Sequence, residues 1–131
     1  MGDAFEIPSD IRYIRKTSNK MVRSLKRSAV DESTLFDIKL CVEEALRNAM
    51  VHGNRSDKGL VVKVSYRIDK DRFEAVVEDE GSGFDPEKVP DPTVEENMLK
   101  YGGRGVYLIK RLMDEVEYND RGNRVKMVKY I

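Results

Sequence analysis

The 131 residues, 40% hydrophobic and 37% charged, suffice for one domain with a sizeable core under a heavily solvated surface. Lys and Arg number 24, as do Asp and Glu, so the formal net charge is zero, and nothing in that balance calls for nucleic acid or an anionic membrane. The single cysteine, Cys41, and single histidine, His52, exclude an internal disulfide, argue against a zinc site, and suit a reducing cytoplasm.

No apolar run approaches a membrane span, and the start MGDAFEIPSD lacks a basic-then-apolar leader. It opens with Met-Gly, but Glu6 stands where myristoylation wants Ser or Thr. The chain is expected to be cytoplasmic.

Residues 4–8 read as a short opening strand ended by Pro8. Ser9 or Asp10 then caps a helix whose apolar stripe is Ile11, Ile14, Met21, Val22 and Leu25. Its basic run from Arg23 to Arg27 reads as a solvated face. A second helix is predicted from about Thr34 to Val51, with Thr34 and Asp37 as a capping-box-like start and Gly53-Asn54 as the stop. In it Ile38, Val42, Ala45 and Ala49 should meet the core, with Cys41 a small core residue.

Val62, Val64, Tyr66 and Ile68 alternate along a strand over 60–68, and Phe73, Ala75 and Val77 continue a second one toward Asp79. Residues 80–103, rich in Gly, Pro, Asp and Glu, read as a long loop with a weak helical turn near 94–100; so long a loop in a small domain is usually functional. A third helix is predicted from Gly105 to about Met113. Strands near 115–118 and 124–131 follow, joined by a hairpin at Asn119-Asp120-Arg121-Gly122. The order predicts one α/β (α+β) domain over 1–131, a two-layer sandwich with a mostly antiparallel sheet covered on one face by about three helices.

Three segments carry chemistry. In VEEALRNAMVHG, Glu44, Asn48 and His52 are spaced by four and should line one stripe. An amide oxygen one turn from a carboxylate can hold Mg2+ while the carboxylate takes a proton; a plainer role for His52 is to close the helix end. In VEDEGSGFD, Asp79 ends a strand and Gly81 and Gly83 let a flat ring approach the backbone, so Asp79 can accept from the exocyclic amine of a base. In YGGRGVYLI, glycines open a helix whose first N–H groups suit phosphate, with Arg104 adding donors. Neither GxxxxGK[ST] nor a complete GxGxxG occurs. Each segment alone is weak evidence; together and in this order they are not.

The three segments resemble the N box and the two glycine boxes of the GHKL, or Bergerat-fold, ATP-binding family. The run DPTVEENMLKYGGRGVYLIKRLMDEVEY is most similar to its stand-alone branch, the anti-sigma-factor serine kinases. The resemblance covers about residues 5–131 and implies ATP and Mg2+ as cofactors. It implies Glu44 as catalytic base, Asn48 as the Mg2+ ligand, and Asp79 as the reader of the adenine amine. Gly81 and Gly83 would shape the pocket. Gly103 and Gly105 would wrap the phosphates, with Val106 beside them as a nucleotide contact, and residues 85–102 would form a lid. Lys100 and Arg104 are both candidates for the cation at the γ-phosphate, Arg104 ranking ahead for its place inside the glycine pair. The family often carries Gly-Thr before its last strand; this chain has Gly122-Asn123.

By that resemblance the expected function is a serine/threonine protein kinase that phosphorylates a STAS-type antagonist and sequesters a sigma factor or similar regulator, and the family analogy suggests a symmetric homodimer. The rival reading is a nucleotide-gated interaction module without kinase activity. A sensor histidine kinase domain fits less well, because His52 lies inside the nucleotide helix. A gyrase-like or chaperone-like ATPase would need further catalytic groups, so hydrolysis by this chain should be slow.

Overall fold

The structure, a computed structural model, describes residues 1–81 and 103–131. Five antiparallel strands, β1 (Gly2–Pro8), β2 (Val61–Ile68), β3 (Arg72–Glu78), β4 (Glu115–Tyr118) and β5 (Arg124–Tyr130), form one sheet in the order β1-β2-β3-β5-β4. The two-layer sandwich expected from the element order is present. Its cause is the period-two pattern: Val62, Val64, Tyr66 and Ile68 of β2 and Phe73, Ala75 and Val77 of β3 are all buried. Register aligns them into a row across the sheet, Phe5 opposite Val64, Val64 opposite Val77, Val77 opposite Val125, and Val125 opposite Tyr118. A one-residue slip would turn that row to solvent, so burial specifies the register.

Among the described residues three helices, α1 (Arg12–Leu25), α2 (Glu32–Arg47) and α3 (Gly103–Leu112), form the second layer. Ile14, Thr17, Ser18, Met21 and Leu25 form the buried stripe of α1, while Arg23, Lys26 and Arg27 are exposed, as a solvated face should be. Ile11, expected on the stripe, is 61% exposed because it precedes the first turn. Asp10 Oδ1 accepts the Arg12 N–H at 3.0 Å, so the helix start is tied from Asp10 and not from Ser9. Ser9 instead donates to Leu60 O and fastens the end of β1 to the start of β2.

The start of α2 differs from the capping box read at Thr34. Asp31 is the N-cap and accepts the Thr34 N–H at 2.8 Å. The aspartate one turn earlier satisfies an orphan donor, and the helix begins at Glu32. Ile38, Cys41, Val42 and Ala45 are buried as expected. Burial pushes the Cys41 thiol up to about 12, so it packs as a small apolar group. Among the described residues α3 already runs from Gly103, two residues before the expected start. Among the described residues no helix is long and apolar enough to cross a membrane.

Candidate functional site

The second helix does not run on regularly to Val51. After Arg47 the chain widens into a π turn, Asn48–Gly53, closed by the Asn54 N–H on Ala49 O at 2.8 Å, five residues back. Four residues no longer complete a turn in that geometry, so the expected stripe splits. Glu44 is buried, Asn48 is half-buried and His52 is exposed. Asn48 and His52 line a cavity of about 360 Å3, together with Asp79, Tyr118 and Asn123. Among the described residues His52 makes no side-chain hydrogen bond, so it does not cap the helix end.

The π turn delivers Gly53 against the end of β3. A Cβ on Gly53 would collide with the Asp79 carboxylate, and one on Gly81 would collide with the Gly53 carbonyl. Glycine at both positions is therefore a requirement of close approach. Gly81 also donates its N–H to Asp79 Oδ1 at 2.7 Å. Burial pushes the Asp79 carboxyl above its ordinary range, opposed by that N–H and by the nearby Arg121.

Asp79 is held from three sides. Its N–H donates to Asn123 O at 2.9 Å, and the Asn123 amide returns a bond to Asp79 O at 2.9 Å. Asn119 fixes Asn123 in turn, donating to its Oδ1 at 2.6 Å. Where Thr is common in the resembled family, Asn123 thus braces the strand end. Asn54, only 1% exposed, donates to Ser9 Oγ at 2.8 Å and to Val61 O at 3.0 Å, and accepts the Glu80 N–H at 2.8 Å. One satisfied amide therefore joins the ends of β1 and β3 and the start of β2.

Across the molecule α3 meets α2. A Cβ on Gly105 would stand 2.7 Å from Asn48 Nδ2 and 3.1 Å from Glu44 Oε2, so the first turn of α3 lies on the carboxylate and the amide. Gly103 and Val106 are buried in the same turn, and Arg104 is exposed. Its guanidinium lies 3.6 Å from Glu44 Oε1. Such a site offers N–H donors at a helix start beside oxygen donors, the surroundings that suit a phosphate chain. Gly83, Lys100, residues 85–102 and the helical turn near 94–100 lie outside the described residues.

The sequence reading missed Gly53 and Asn54 as site residues, taking them as a helix stop. It also passed over Tyr118 and Arg121, whose guanidinium donates to Gly81 O at 2.8 Å.

With this geometry in view, the likeness to known proteins is decisive. The family model described as histidine kinase-like ATPase domain matches residues 7–129. The chain belongs to that family. It is 32% identical to the serine-protein kinase RsbW of Bacillus subtilis over 96% of this chain and 83% of that protein. The RsbW of Listeria monocytogenes is 30% identical, over 96% of this chain and 85% of that protein. The RsbW of Staphylococcus aureus is 29% identical, over 95% and 84%. Within the family the chain falls in the branch of anti-sigma-factor serine kinases.

Proposed function

We propose that this chain is a Mg-ATP-dependent serine/threonine protein kinase of the anti-sigma type. It phosphorylates a small STAS-type antagonist and, in its other state, sequesters a sigma factor or similar regulator. The observation that carries the reading is the seating of Gly105 on Glu44 and Asn48, which sets a helix start against a carboxylate and an amide while Asp79 lines the neighbouring cavity.

In this reading Asp79 accepts the exocyclic amine of adenine through Oδ2, since Oδ1 already holds the Gly81 N–H. Glu44 takes the proton of the substrate hydroxyl. Arg104, whose side chain is 58% exposed, has room to turn from Glu44 toward a γ-phosphate. The amide oxygen of Asn48 fits Mg2+, which uses one or two protein oxygens and completes its shell with phosphates and water. When bound, that ion offsets charge on the phosphate oxygens.

Labelled ATP offered with a STAS-type partner tests the proposal. Label should reach a Ser or Thr of the partner. Glu44→Gln should cut the transfer about 100-fold or more while Mg-ATP affinity by calorimetry stays close to wild type. Asn48→Ala should lose that affinity. One observation favours a second reading, a nucleotide-gated module without transfer: the pairing of Glu44 with Arg104 gives the carboxylate a closing role independent of chemistry. Tight ATP binding with no label on any partner would decide for that reading.

A further inference from the structure

Immediately after the π turn, Arg55 and Ser56 both hold left-handed backbone, with φ of 51° and 59°. This region is disfavoured for residues with a Cβ and is routine only for Gly and, less often, Asn or Asp. The surroundings enforce it. Asn54 is latched by its buried amide, the Ser56 N–H donates to Met50 O at 2.8 Å, and the Asp57 N–H donates to Asn54 O at 3.0 Å. A glycine at position 55 would relieve the strain, yet the chain places an arginine there.

The Arg55 side chain has no visible structural duty. It is exposed and makes no ion pair or hydrogen bond among the described residues, but it lines the same cavity as Asp79 and Gly53. Neighbouring cations are engaged: Arg121 donates to Gly81 O, and Arg124 lies 3.8 Å from Glu78. Strain held at a cavity wall, with an unengaged guanidinium, is the pattern of a residue kept for a ligand.

Its position favours one part of that ligand. Arg55 follows Gly53, which packs on the Asp79 carboxylate, whereas Gly105 and Asn48, which approach each other elsewhere, form the phosphate end in the proposed function. We propose that Arg55 is a specificity-determining residue of the nucleotide site, its planar guanidinium covering the open face of the base whose edge meets Asp79. A guanidinium stacks on an aromatic ring through its plane as well as its charge, and an ammonium lacks that plane. The proposal rests on the nucleotide reading above.

Full-length Arg55→Gly and Arg55→Lys, compared with wild type by calorimetry against Mg-ATP and adenosine and by thermal melting, test it. Arg55→Gly should melt about 3 °C higher, because the left-handed strain is gone, and should bind both ligands about 10-fold more weakly. Arg55→Lys should bind adenosine as weakly as the glycine variant. Wild-type affinity in Arg55→Gly would overturn the proposal. So would a loss confined to ATP, which would place the contact on phosphate, or full recovery by lysine, which would make it a matter of charge. If wild type binds neither ligand, the underlying nucleotide reading falls first and this proposal with it.

Discussion

Asp79, at the end of β3, is braced through its N–H, its carbonyl and its carboxylate, whereas Glu44, on α2, faces an exposed guanidinium 3.6 Å off. The difference runs through their surroundings. Around Asp79 the ends of β1 and β3, the start of β2, the π turn and the β4–β5 hairpin are joined by buried amides, Asn54 and Asn123, which are 1% and 7% exposed. Around Glu44 there is a helix start and a long side chain with freedom to turn. A recognition surface gains from being set before the ligand arrives, while a transfer site must admit a second protein and rearrange. In the proposed function the braced region around Asp79 is the template and the region around Glu44 is the part that rearranges.

The sharpest way to break this contrast is Gly53→Ala. The added Cβ would strike the Asp79 carboxylate, and because Gly53 is not left-handed the effect is steric alone. Urea unfolding should show a loss of about 2–3 kcal/mol, and Mg-ATP binding should fall below detection in calorimetry. Unchanged binding would mean that Asp79 is not rigidly placed.

Next in size is a paired comparison. Asn54→Ala should cost about 2 kcal/mol, since it leaves the Glu80 N–H and the Val61 carbonyl without their buried partner. Arg104→Ala should cost under about 1 kcal/mol, because its half-exposed pair with Glu44 is screened. Equal losses in urea titrations would erase the distinction between template and moving part.

The smallest effect is one of pH. Burial raises the Asp79 carboxyl, so the folded state binds its proton more tightly than the unfolded chain does. Stability from this group is therefore present at low pH and is lost as pH rises from the ordinary carboxylate range through the raised folded value. Asp79→Asn should melt at or slightly above wild type near neutrality, and the gain should vanish in acid. A variant that melts lower at neutral pH would show that the charge is stabilised by its neighbours after all.

Much of this architecture could be read in advance. Alternation in β2 and β3 and the apolar stripes of α1 and α2 depend on local periodicity alone, and the sheet and helix layers follow from burying them. Glu44, Asn48, Asp79 and the glycines of α3 were singled out because few residue types combine a carboxylate, an amide and bare backbone at those spacings. The helix cap at Asp31 was misplaced by one turn because Asp31 and Thr34 both have capping side chains, and only the backbone path chooses between them.

Asn54 and Gly53 show where reading residues in order stops. A Gly-Asn pair after a helix is an ordinary stop in any sequence. Its second role depends on Ser9, Val61 and Glu80 arriving from positions up to 45 residues away. The π turn likewise has no pattern of its own; it widens the helix so that Gly53 can reach Asp79. By itself the sequence determined which surfaces are apolar, in what order the elements come, and which residues are candidates for a nucleotide site. Only the tertiary structure decided how tightly those residues are held, because bracing comes from partners distant along the chain, and their distances are set by packing rather than by spacing.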